Sequence, residues 1–291
     1  MAGQFSTRTK ARGLGRRTSA LRDAILSAFE DADKPVTVRQ MYYLCSVAGA
    51  VDKSEAGYRQ AQRQLVEMRR GGTVPYGWIA DYSRRSWKPD TFDDMEDALR
   101  STANFYRRAV WNRLPVYVEI WVEKDALAGV LYSVTERYDV MLMPAKGYSS
   151  ESFAYSSAEA IKRTGKPAVV YYLGDFDPSG WNMARNLEEK LRGFGAEITF
   201  ERLAVNPEQI EAWNLPSRPT KRTDTRCREF FDTFGKGTPS VELDALHPDK
   251  LRAIVREAIE RHIPAGYLDT LNAAEESERR ILDRMADAAA G

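Results

Sequence analysis

The sequence predicts an α/β protein in two parts, an α-rich N-terminal module followed by a parallel β-sheet flanked by helices. Charge is the first sign of the division: residues 1 to 89 hold 16 Lys and Arg against 8 Asp and Glu, a net charge of +8, while the rest of the 291-residue chain stands at −7. Apolar periodicity is the second. Before Val116 the spacing is mainly helical, and after it short apolar runs alternate with helical stretches, the pattern of strands buried on both faces of a parallel sheet. Length is the third, being sufficient for two domains that each bury a core.

Residues 1 to 17, with Arg8, Lys10, Arg12, Arg16 and Arg17 and little apolar content, read as a flexible basic arm. Leu21, Ile25, Leu26 and Phe29 form the apolar face of a first helix. Pro35 separates it from a second, where Thr37 and Gln40 have the spacing of a capping box. A third helix runs from about Ser54 to Arg70, with Tyr58, Ala61, Leu65 and Met68 as its buried stripe. Arg59, Gln62, Arg63 and Arg70 lie away from that stripe, and Gly71 and Gly72 stop the helix. Thr73 to Ile79, with Pro75 and Gly77 in its middle, reads as a short hairpin, followed at once by Arg84, Arg85 and Lys88. Three helices and a hairpin wing over 18 to 89 describe a winged-helix module whose third helix presents guanidinium groups to double-stranded DNA.

A linker helix from about Phe92 to Trp111 falls within residues 90 to 114. The second domain, 115 to 247, has expected strands at Val116–Val122, Val140–Met143, Ala168–Leu173 and Ile198–Val205. Helices are expected near Ala126–Glu136, Ser157–Arg163 and Trp181–Arg192, and residues 248 to 291 read as two more helices. No run of about 18 apolar residues is present to span a bilayer, nor an N-terminal secretory core, so a cytoplasmic protein is expected.

Two cysteines and two histidines are too few for a zinc cage or a disulfide framework. A metal site must therefore use oxygen. V-E-K-D-A places Glu123 at the end of the first expected strand, and G-D-F-D-P-S-G places Asp175 and Asp177 at the end of a later one. Ligands of open parallel sheets bind beyond the carboxyl ends of the strands, so these three carboxylates are expected to share a crevice. Hard oxygen ligands without histidine favour Mg²⁺. Lys124 has two readings, a phosphate contact or a solvated lysine.

In R-Q-M-Y-Y, Met41, Leu44, Cys45 and Ala48 fall on one side of a helical wheel and Tyr43 nearly opposite, with Arg39 on the same face as Tyr43. Tyr42 at the border is explained by packing. A tyrosine held out of the core beside an arginine, in a basic module, is placed to attack a phosphodiester.

A glutamate in V-E-K-D-A followed on a later strand by D-x-D-P-x-G resembles the Toprim domain shared by topoisomerases, primases and some nucleases. Within that group the D-A after V-E-K, the P-x-G after D-x-D, and an Arg followed by two variable residues and a Tyr-Tyr pair look most like the A subunits of type IIB topoisomerases and the related meiotic recombination endonucleases. The likeness spans about Thr37 to Asp177, with an echo in V-E-L-D-A-L, Val241 to Leu246. It implies Tyr43 as nucleophile, Arg39 as its helper, Mg²⁺ on Glu123, Asp175 and Asp177, a 5′-phosphotyrosyl link to DNA, and a homodimer in which one subunit's tyrosine works with the other's carboxylates. K-G-Y-S-S, Lys146 to Ser150, departs from the Gly, Pro, Asp and Thr-Arg pattern usual in that loop. Nothing here resembles the family's ATPase, so an ATPase subunit would be separate, and the size is closest to the stand-alone A-like proteins of mobile elements called Mini-A. Two alternatives accompany this expectation: a Toprim metal-dependent nuclease that activates water, and a non-catalytic DNA-binding scaffold.

Overall fold

The computed structural model describes residues 15–80, 89, 91–145, 151–220 and 226–290. The expected basic arm up to residue 14, Arg84 and Arg85, and the Lys146–Ser150 loop lie outside them. The chain divides into two compact units between Ile79 and Ala80.

Helices α1 (Arg16–Asp31), α2 (Val38–Val47) and α3 (Glu55–Arg70) make up most of the first unit and pack on one another. Leu21, Ile25 and Phe29 of α1 are buried as the periodicity predicts, and Leu26 is half-buried. The capping box is present: Gln40 N donates to Thr37 Oγ1 at 3.0 Å, and Thr37 N donates to Gln40 Oε1 at 2.9 Å. On α3 the buried stripe is Gly57, Ala61, Gln64, Leu65 and Met68, with Tyr58 half-buried. Gln64 enters the stripe because its amide oxygen accepts from Arg22 Nε at 2.7 Å. Instead of a hairpin, the stretch after α3 holds a single 3₁₀ turn at Tyr76–Trp78. The amide of Val74 is taken by Met68 O and that of Trp78 by Pro75 O, so the backbone there closes local turns. Its one strand-like contact among the described residues is a parallel bridge between Val36 and Ile79.

In the second unit α4 (Met95–Phe105) is shorter than the expected linker helix, because the chain turns extended at Tyr106. Four strands, β1 (Tyr117–Val122), β2 (Met141–Pro144), β3 (Ala168–Leu173) and β4 (Ile198–Ala204), form a wholly parallel sheet in the order β2-β1-β3-β4. Each lies within about a residue of the expected run. Between them run α5 (Asp125–Thr135), α6 (Glu151–Arg163) and α7 (Pro178–Gly193). After β4 come two short helices missing from the sequence reading, α8 (Pro207–Ala212) and α9 (Cys227–Phe234), then α10 (Pro248–Glu260) and α11 (Tyr267–Ala289). Among the described residues, no helix is long and apolar enough to cross a membrane.

Alternation along the strands builds two cores. Val118, Ile120 and Val122 of β1, with Val169, Tyr171 and Leu173 of β3, pack with residues of α5 and α10. Trp121, Val170, Tyr172 and Ile198 point the other way, onto Ala158 and Ile161 of α6 and Ala184, Leu187 and Leu191 of α7. α4 and the segment after it pack on α11: Arg100 of α4 pairs with Asp287 of α11 at 2.9 Å, and Arg279 donates to Tyr106 O at 2.8 Å.

Candidate functional site

The chain enters the sheet at β1, crosses to β2 on one side, then returns to β3 on the other side of β1. The β1/β3 seam is thus a topological switch point, where the connections leave in opposite directions and a crevice opens at the carboxyl ends. Glu123 follows β1 directly, and Asp175 and Asp177 follow β3. Pairing runs past the strands, since Glu123 N donates to Leu173 O at 2.9 Å and Gly174 N to Ala204 O at 2.8 Å.

Glu123 and Asp175 meet directly, Asp175 N donating to Glu123 Oε2 at 2.8 Å. Two glycines leave room for this contact. A Cβ on Gly174 would lie 2.6 Å from Glu123 Oε2, and one on Gly180 would lie 3.1 Å from the same oxygen and 2.3 Å from Asp175 O. Asp177 is the N-cap of α7, its Oδ1 accepting from Gly180 N at 2.8 Å. Part of this aspartate's role is therefore structural.

A second acidic segment, flagged in the sequence only as the echo V-E-L-D-A-L, closes the crevice. Phe176 and Val241 form an antiparallel bridge, with amide donors at 2.8 and 2.9 Å. This carries Leu243 N to within 2.8 Å of Asp175 Oδ1 and brings Glu242 and Asp244 beside it. Lys124 is not a loose, solvated lysine. Its Nζ lies 2.8 Å from Asp175 Oδ1, 2.7 Å from Asp244 Oδ2 and 3.7 Å from Glu242 Oε2. Across the rim, Arg218 contacts Glu242 at 2.9 Å and Asp177 at 3.9 Å. Beneath the loop Arg202 donates to the carbonyls of Gly174 (2.9 Å), Asp175 (2.5 Å), Gly180 (3.3 Å) and Val205 (3.2 Å). An arginine inside the strand I-T-F-E-R-L-A, next to its buried Leu203 and Ala204, was the available signal for this internal clamp.

Electrostatics follow from the crowding. Burial, then the charge of Asp175, pushes the Glu123 carboxyl up to about 7. Burial opposes the charge on Lys124, but Asp244, Asp175 and Glu242 outweigh it and hold the ammonium above the ordinary lysine range. Burial lowers the pKa of Arg202. Elsewhere on β1, Glu119 is also pushed up to about 7 by burial, and accepts from Trp121 Nε1 at 2.8 Å.

Among the described residues no group of three or more Cys, His, Asp or Glu makes a preformed metal cage. The side chains gathered here, Glu123, Asp175 and Asp177, offer only oxygen donors, which a hard cation would take in preference to a soft one. Glu123, raised by burial beside another carboxylate, is the group such a cation would stabilise in its ionised form. A cleft of about 1160 Å³ lies instead along edge strand β2, lined by residues including Arg107, Tyr117, Met141, Arg163 and Lys166. It contains none of the five carboxylates, and the chemistry of the crevice carries more weight than the size of this cleft.

In the first unit Tyr43 departs from expectation. Only 9 % of its surface is exposed and 6 % of that of Tyr42. α2 buries Gln40, Met41, Tyr42, Tyr43 and Cys45, while Ala48, placed on the apolar side by the wheel, is exposed. The rings of Tyr42 and Tyr43 lie 5.2 Å apart, Tyr42 meets Tyr58 of α3 edge-on at 5.5 Å, and the Arg39 guanidinium stacks on Tyr58 at 5.0 Å. Tyr42 packs as expected and donates its hydroxyl to Ser54 O at 3.3 Å. Arg59, Gln62, Arg63 and Arg70 are exposed on α3.

The chain matches no protein-family model and no curated protein.

Proposed function

We propose that this protein cleaves DNA strands by tyrosine transesterification, in the manner of the type IIB topoisomerase A subunits it resembles, with Mg²⁺ assistance. The observation that carries this reading is the meeting of Glu123 with Asp175 at the β1/β3 switch point, with Asp177 beside them at the head of α7.

Tyr43 Oη attacks a backbone phosphorus, the P–O3′ bond breaks, the phenolic proton leaves, and the 3′ oxygen takes up a proton. The product is a 5′-phosphotyrosyl link that keeps the phosphodiester's energy for resealing. Ionising a phenol of pKa about 10 at pH 7 costs roughly 4 kcal/mol. Arg39, one helical turn before Tyr43, offsets part of this by favouring phenolate and phosphorane charge. Glu123, with Asp175 and Asp177, would hold the Mg²⁺, which would supply positive charge to stabilise the transferring phosphate and its leaving group. The exposed guanidinium groups of α3 bind the duplex backbone. A double-strand break needs two tyrosines and therefore a dimer.

One observation favours a second reading. Tyr43 sits in a packed tyrosine cluster, and a nuclease that activates water at the same carboxylates has no need of its hydroxyl. End-labelled duplex incubated with Mg²⁺ and run on a denaturing gel separates the two. A protease-sensitive adduct given by the wild type and absent from Tyr43→Phe supports transesterification, whereas free fragments made equally by both proteins support hydrolysis.

A further inference from the structure

We propose that Tyr58 of α3 is the positioning residue for Arg39, its ring holding the guanidinium on the face of α2 that carries Tyr43. This deepens the transesterification reading and rests on it.

Arg39 and Tyr43 stand one helical turn apart on α2. An arginine that is to favour phosphorane charge must be held, because its long side chain otherwise samples many rotamers. The Arg39 guanidinium carbon lies over the Tyr58 ring, 5.0 Å from its centroid, within the reach of cation–π attraction. Both residues are half-buried, and loss of water strengthens such a contact. A ring attracts the charge through its π face, whereas a carboxylate would engage the same N–H donors that recognise a phosphate.

The ring also reaches the other neighbour of the nucleophile. Tyr42 meets Tyr58 edge-on at 5.5 Å and packs against Tyr43 at 5.2 Å. Its hydroxyl donates at 3.3 Å to the carbonyl of Ser54, the N-cap residue of α3. Tyr58 itself lies in the first turn of α3, next to the exposed Arg59. The start of α3 thus carries both a guanidinium for the duplex backbone and the ring that aims Arg39.

The test is a double-mutant cycle on the full chain, read as the initial rate of covalent adduct formation with Mg²⁺ and end-labelled duplex. Tyr58→Leu should slow the adduct roughly tenfold. Tyr58→Phe, which keeps the ring contacts, should restore most of that loss, and Tyr58→Leu added to Arg39→Leu should slow the reaction no further. A ring that only packs would slow it by its own factor with or without Arg39, so additive losses would overturn the proposal while leaving adduct formation intact. A wild type that forms no adduct would overturn both. Nuclear magnetic resonance of arginine-labelled wild type tests the contact without any substitution. The Arg39 side-chain protons should be displaced by the Tyr58 ring current, and resonances at their ordinary positions would overturn the proposal whether or not Tyr58→Leu folds.

Discussion

The backbone amide of Asp175 donates to the Glu123 carboxylate at 2.8 Å, tying the end of β3 to the end of β1. This contact forms between neighbouring parallel strands because nothing larger than a hydrogen stands on the Cα of Gly174, beneath the carboxylate.

Gly174→Ala should therefore displace Glu123. The new Cβ would lie 2.6 Å from both Glu123 Oε2 and Tyr172 Cε1, and overpacking of this kind costs roughly 1–3 kcal/mol. Gly193→Ala is the control, since a Cβ on this last residue of α7 meets nothing within 4 Å, and it should be neutral or stabilise by up to about 1 kcal/mol. Urea denaturation of the two variants checks the contrast; equal stabilities would contradict it.

The pH dependence of stability should report Glu123. Its folded-state pKa of about 7 exceeds the ordinary 4.5, so the native state holds the proton more tightly than the unfolded chain. That contribution is fully present below the unfolded value and lost as pH rises through the folded one. Between about pH 8 and pH 5 the wild type should gain on the order of 2 kcal/mol relative to Glu123→Gln. Glu119 shifts in the same direction in both proteins, so the difference isolates Glu123. Parallel melting curves across that range would refute the assignment.

Arg202→Met removes the donors to four backbone carbonyls under the D-x-D loop. A loss of roughly 3 kcal/mol or more is expected, because charged hydrogen bonds vanish and buried acceptors are left unsatisfied. Thermal melting, with Mn²⁺ binding as a second readout, should show both stability and metal affinity falling.

Strand positions, the Thr37 capping box and the two carboxylate motifs were legible because each is local: an apolar run, a three-residue spacing, an acid at a strand end. What was not legible depends on the rest of the fold. The wheel put Tyr43 outside because it considered α2 alone, whereas α2 buries residues on several sides and Tyr43 packs against Tyr42, which in turn meets Tyr58 of α3. The ion pairs of Lys124 could not be read alongside its two sequence readings, a phosphate contact or a solvated lysine, because Glu242 and Asp244 reach it only through the Phe176–Val241 bridge. The hairpin expected at Thr73–Ile79 followed from Pro75 and Gly77, which serve a 3₁₀ turn equally well.

Exposure of Arg59 and Arg63 on α3 gives a test of DNA contact. Replacing both with Ala should weaken duplex binding and reduce the slope of log affinity against log salt by about 2, roughly one per lost phosphate contact. An unchanged slope in a titration over salt would remove α3 from the interface.

The central claim is that Tyr43 becomes covalently joined to DNA. Its most direct test is mass spectrometry of the wild-type protein after Mg²⁺ reaction with duplex, then nuclease and protease digestion. The account predicts a 5′-phosphonucleotide on the peptide containing Tyr43; cleaved DNA with that peptide wholly unmodified would contradict it.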